Sequence, residues 1–231
     1  MFEKTLLMAV LGALFCLDRS CLQSMIHRPI VMAPFLGWIL GDVKTGLIVG
    51  AFLELMWVDR PSMGNYVPPN DSLAAAVITG TVILAGANVG GVSRELTTLG
   101  ILLLLPLVYG AQRMDMYIMA KNDALAEVAL AHAATGNATA IEKNHLSAIL
   151  KTYLYDLLFI YLATFAAVPV VGFVYDLLPM PALKTLELLY FTFPLLIAGI
   201  VLNTIKLRGD VFVFSSLFII LILLAELLHG I

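Results

Sequence analysis

The sequence predicts an all-α integral membrane protein with several transmembrane helices, a re-entrant helical hairpin and an amphipathic helix on the cytoplasmic side. Three observations carry that prediction. The 231 residues are 61% hydrophobic and 13% charged, with a mean hydropathy of +0.98, whereas a soluble domain is nearer half apolar and a quarter charged. The apolar runs lack the polar–apolar alternation of a barrel strand, so the spans are helical. Finally, two half-length apolar segments sit side by side, joined by the polar turn "GDVKT" from Gly41 to Thr45.

Each segment follows from its length and its punctuation. A helix needs about 20 apolar residues to cross the hydrocarbon core. Thr152 to Tyr175, Leu186 to Ile205 and Val211 to Leu228 meet or approach that length. Ser72 to Val89 comes close to it, with Asn70 or Asp71 as its N-cap. Thr5 to Leu17, Pro29 to Leu40 and Thr45 to Val58 are each only about 12 to 14 residues, roughly 20 Å of helix and too short to span. The last two predict a hairpin whose arms meet near Asp42 to Thr45, packed inside protein, because broken backbone survives at membrane depth only away from lipid. The Glu3–Lys4 start, with no small-residue cleavage site after it, makes the first segment a membrane segment rather than a signal peptide.

The mixed-charge, Ala-rich stretch from Asp115 to Ala134 predicts an amphipathic helix, stopped by "TGN". The chain thus reads as one polytopic membrane domain over 1–231: a hairpin-containing core (1–112), a polar connector (113–150) and C-terminal transmembrane helices (151–231). Lys and Arg cluster between Arg113 and Lys151 and again at Lys206 and Arg208, which places those turns in the cytoplasm.

Several function classes drop out. A formal net charge of −3 argues against nucleic acid as a partner. No P-loop, dinucleotide fingerprint or Ser-His-Asp arrangement is present, the four His residues show no ligand spacing, and no catalytic residue, metal or cofactor is expected. Cys16 and Cys21 read as buried thiols.

What remains is a set of polar residues in apolar surroundings. Glu54 lies within "GAFLELMW", and a carboxylate at membrane depth needs a partner, a proton or a polar ligand. It is either a hydrogen-bond acceptor for a hydroxylated substrate or half of a salt bridge with Lys44 or Arg60. Asp42 and Lys44 flank the hairpin turn, where Asp42 can cap the next helix and Lys44 can snorkel. In "SMGNYVPPND", Pro68 and Pro69 forbid regular helix, and Ser62, Asn65, Asn70 and Asp71 offer donors and acceptors on unwound backbone. That suits a neutral sugar, or an ordinary surface turn.

The run from His27 to Leu55, "HRPIVMAPFLGWILGDVKTGLIVGAFLEL", resembles the membrane subunit IIC of the mannose/fructose/sorbose family of the sugar phosphotransferase system. Its "HRP" opening, "LGDxKTGxIxG" turn and following "LE" carry the resemblance, which extends more loosely to "IVLNTIKLRGD". The resemblance implies a multi-pass permease of the bacterial inner membrane that binds a hexose or amino-sugar outside and delivers it inward. It also implies a soluble IIAB protein for phosphorylation, a membrane partner IID, an oligomer, and elevator-like motion of a core against a scaffold. By position, the family's hairpin glutamate is Glu54. Its usual "NIG" becomes "SMG", with Ser62 in place of an asparagine; its usual "APD" becomes "PPN", with Asn70 in place of an aspartate and Asp71 next. The C-terminal end is expected to be shorter than in the family by about one hydrophobic segment. Two other readings fit the same residues: a non-transporting structural or regulatory partner with a degenerate site, and an ion-coupled secondary transporter.

Overall fold

The structure, a computed structural model, describes residues 2–58 and 66–205, together with 212, 215, 216, 219 and 220. Eight helices are defined in this range: α1 (Phe2–Leu17), α2 (Pro29–Leu40), α3 (Val43–Met56), α4 (Asp71–Asn88), α5 (Arg94–Leu104), α6 (Leu107–Ala134), α7 (Ala138–Leu177) and α8 (Met180–Ile205). Among the described residues α4, α7 and α8 are long and apolar enough to cross a membrane, and α5 with α6, bent by 42°, makes a fourth candidate.

Helix α4 is the axis of the molecule. Its sequence, "DSLAAAVITGTVILAGAN", is mostly small or apolar, with Thr79 and Thr81 as its mid-helix polar residues, and every residue from Ser72 to Gly86 is buried. A helix apolar all round belongs in a core, and α1, α2, α3, α5, α6 and α7 all pack against this one. Met8, Leu36, Leu53, Ile101 and Ile160 from five of those helices are fully buried in the same core.

The predicted hairpin is α2 and α3. Gly41 ends α2 at φ 97°, a left-handed conformation that glycine adopts without a side-chain penalty. Asp42 then accepts from the Thr45 N–H at 3.0 Å and from the Thr45 hydroxyl at 2.5 Å, capping α3. The arms touch backbone to backbone. A Cβ at Gly46 would overlap the Ala33 carbonyl oxygen, and one at Gly50 the Pro29 carbonyl oxygen. Small residues four apart permit such close approach of apolar helices, which have little hydrophobic driving force inside a bilayer. One face of the hairpin lies against α4. Helix α1 packs beside α2 and α8 beside α3, and the outer face leaves Ile30, Val31, Phe35, Trp38, Val43 and Leu47 exposed in the single chain.

The polar stretch is helical over Asp115–Ala134, as the sequence predicts. Residues 113–150 do not form a separate linker but continue the helices on both sides. Helix α6 runs to Ala134, Gly136 turns at φ 69°, and Asn137 caps α7 through the Ala140 N–H at 3.1 Å. Helix α7 has 40 residues, about 60 Å at 1.5 Å per residue, twice the thickness of the hydrocarbon core. The "TGN" stop falls where it was read, between two helices that together project beyond any bilayer. Cys16 is buried as expected, but Cys21 is exposed, because α1 ends at Leu17 and the chain passes into turns. Most of the segment from Val211 to Leu228 lies outside the described residues.

Candidate functional site

The polar residues gather at the open end of the hairpin, where α2 begins and α3 ends, and there they meet the N-terminus of α4. The loop between α1 and α2 is tied down first. Asp18, with a side chain 1% exposed, accepts from the Ser24 N–H at 2.8 Å, the Ser24 hydroxyl at 2.6 Å and the Ile26 N–H at 3.0 Å, and pairs with His27 Nδ1 at 2.8 Å. Burial alone would raise its pKa, but the hydrogen bonds from Ser24 and His27 outweigh that and hold the carboxyl well below the usual carboxylate range.

This clamp sets the start of α2, and with it Arg28. Arg28 Nη2 forms a close ion pair with Glu54 Oε1, and the Ile30 N–H approaches Glu54 Oε2 at 3.5 Å. The Glu54 carboxylate therefore faces both a guanidinium and the positive end of α2. The sequence had proposed Lys44 or Arg60 as the salt-bridge partner. Lys44 lies at the other end of α3, ten residues away, about 15 Å along the helix. Arg60 lies outside the described residues, as do the predicted site residues Ser62 and Asn65. Arg28 lies 26 positions from Glu54, in the "HRP" run, and no local spacing marks it as the partner.

Two cavities flank the Pro68–Asn70 segment. The first, about 350 Å³, is bounded by Arg19, His27, Arg28, Glu54, Trp57 and Asp71 among others. The second, about 270 Å³, lies between α1, α4, α6 and α7 and includes Cys16, Arg19, Asn70, Asp115, Thr152 and Asp156. Arg19 borders both. Asn70 caps α4 by accepting from the Leu73 N–H at 3.0 Å, and its amide donates to Asp115 Oδ2 at 2.8 Å. The same oxygen lies 3.5 Å from Arg19 Nη1. Gln112 donates to the Val67 carbonyl at 2.5 Å, holding the proline segment against α6.

The structure thus brings Glu54 and Asp71 to the walls of one cavity and places Asn70 beside the next. Asp42 and Lys44 stand apart, at the opposite end of the hairpin. Asp42 is spent on its cap, and the Lys44 side chain is exposed with no ion pair among the described residues. Arg19, Asp115 and Asp156 were not among the predicted site residues. Asp156 was legible in "YLYDLLFIYL", where it interrupts an apolar span just as Glu54 does. Asp115 had been read as the first residue of a solvated helix, and nothing local distinguishes it.

Apolar spans, buried core and hairpin together define a multi-pass helical protein of the cell membrane. A family model described as "PTS system sorbose-specific iic component" matches residues 2–228, and the chain belongs to that family. It is 32% identical over 123 residues to the PTS system mannose-specific EIIC component of Escherichia coli K12, covering 53% of this chain and 43% of that protein. It is 27% identical over 146 residues to the fructose permease IIC component of Bacillus subtilis, covering 63% and 51%. The chain thus spans about half the length of the curated relatives it matches. Two solved structures share the fold. One is described only as a membrane protein, with a TM-score of 0.72, 21% identity, and 100% of this chain and 96% of that one covered. The other is a cryoEM structure of the mannose transporter ManYZ with microcin E492, with a TM-score of 0.63, 20% identity and the same coverage.

Proposed function

We propose that this chain is the sugar-translocating IIC subunit of a phosphoenolpyruvate-dependent phosphotransferase system, taking a hexose or amino-sugar and delivering it for phosphorylation by a soluble IIAB protein. The observation that carries this reading is the cavity at the hairpin mouth, whose lining includes Glu54, Asp71, Arg19 and Arg28. Sugar hydroxyls both donate and accept, and a wall that mixes carboxylates with guanidinium groups meets both needs with charge-assisted bonds. Ser62, Asn65 and Asn70 complete the proposed binding set, and Asp42 and Lys44 keep the hairpin turn in shape. Membership of the family and the likeness to one subunit of a two-name transporter support a membrane partner of the IID type and an oligomeric assembly. The α6–α7 turn is cytoplasmic on this reading, where IIAB can reach it; ready labelling of a cysteine placed there by an impermeant reagent on intact cells would overturn that orientation.

The test is phosphoenolpyruvate-dependent uptake into vesicles carrying this chain with IID and IIAB. Uptake of at least one hexose or amino-sugar is expected, and none for any sugar tried would overturn the proposal. One observation favours the degenerate, non-transporting reading: the Glu54 carboxylate is already engaged by Arg28 and the α2 N-terminus. Sugar binding with ordinary affinity would rule that reading out.

A further inference from the structure

The cavity between α1, α4, α6 and α7 is lined by more carboxyl groups than cationic ones. Arg19 is the one cation among its described lining residues, against the carboxylates of Asp115 and Asp156. Arg19 is also shared with Asp71 in the neighbouring cavity. The other cation there, Arg28, is already paired with Glu54, and His27 is bound to Asp18. Three carboxylates thus surround one guanidinium in a largely buried setting, where unpaired charge is costly.

The unmet groups are specific. Asp156 is only 4% exposed and accepts no hydrogen bond among the described residues. It feels the repulsion of Asp115 and the attraction of Arg19. Arg19 Nη1 is buried and donates no hydrogen bond, although Asp115 lies 3.5 Å away. Asp115 Oδ2, by contrast, is already held by the Asn70 amide. The cavity therefore presents one unpartnered buried carboxyl and one free guanidinium donor. At about 270 Å³ it lies just under the ~300 Å³ lower end of small-molecule pockets.

We propose that this cavity is a specificity site for the ammonium group of an amino-sugar, with Asp156 receiving the ammonium and Arg19 donating to an adjacent hydroxyl. The proposal rests on the sugar-permease reading and names the substrate class within it. An ammonium brings both the missing positive charge and the donors that Asp156 lacks, whereas a neutral hydroxyl brings only a donor. An N-acetylated amine, neutral and bulkier, supplies neither the charge nor the fit.

The experiment uses the full chain in lipid nanodiscs, with any co-purifying membrane subunit retained. Binding is measured by calorimetry for free hexosamines, their N-acetyl derivatives and the parent hexoses in the gluco, manno and galacto series. In the wild type, one hexosamine should bind about tenfold or more tighter than its N-acetyl and parent forms, the scale of a charge-assisted bond. That preference should fade as pH rises and the amine itself loses its proton, a readout that needs no variant. Asp156→Asn should erase the preference. Equal affinity for the amine and the parent hexose in the wild type, or a preference that persists in Asp156→Asn, would overturn the inference while leaving the permease reading in place. Absence of binding by any sugar would overturn both.

Discussion

The two ends of the α2–α3 hairpin carry similar residues and use them differently. At the turn, Asp42 finds its partners three residues away in Thr45, and the whole arrangement is local. At the mouth, about 18 Å along α3, Glu54 finds Arg28, 26 positions earlier, and Asp71, Asp115 and Asp156 converge from three further helices. Local capping leaves a carboxylate saturated and therefore structural. Long-range convergence leaves groups with unused valence around cavities, which is what a binding site requires. The difference separates the charges that shape this protein from those proposed to act in it.

The comparison can be broken most severely from the middle. Gly50→Val would drive a side chain into the Pro29 carbonyl and spread the arms. A loss of about 3 kcal/mol or more is expected, read as a collapse in membrane-inserted yield and melting temperature. An unchanged melting temperature would mean that the close contact does not hold the arms together. Glu54→Gln comes next and bears on the mouth alone. Because Arg28 is 44% exposed and can rehydrate, stability should fall by no more than about 1 kcal/mol, while sugar affinity falls about tenfold. The opposite split, normal binding with a large loss of stability, would make Glu54 a purely structural residue.

Asp42→Ala sharpens the contrast from the other end. Loss of the cap should cost about 1 kcal/mol in thermal unfolding and leave sugar affinity unaltered; a drop in affinity would show that the turn communicates with the mouth. The Asp18 clamp predicts a smaller, local effect. Its folded pKa is depressed, so its contribution is complete at neutral pH and is lost as pH falls below about 4, where the unfolded carboxyl takes up its proton. Asp18→Asn at neutral pH should speed amide exchange at Ser24, Ile26 and His27, with little change elsewhere. Lys44→Ala, at an exposed side chain, should shift stability by no more than about 0.5 kcal/mol.

The sequence by itself determined whatever rests on solubility in lipid and on local backbone chemistry. The Pro29–Leu40 arm agrees residue for residue with α2, and the second arm and the α4 span fall within two residues of their observed bounds, because apolar length, Gly41 and the Asx caps act over a few positions. The "TGN" stop was legible for the same reason. Helix α5 was not assigned, since 11 residues ending in a bend match neither a span nor a recognisable motif. The helix over Asp115–Ala134 was legible in its Ala-rich, mixed-charge pattern, but mixed charge does not mark where a helix begins, and α6 starts earlier, at Leu107. Tertiary structure alone decided which charges meet. Glu54 takes Arg28 rather than Lys44 because α3 carries its two ends to opposite sides of the molecule. Asp115 and Asp156 come to share a cavity with Arg19 because α6 and α7 both pack on α4. Pairing of this kind depends on helix packing and burial, and no spacing along the chain encodes it.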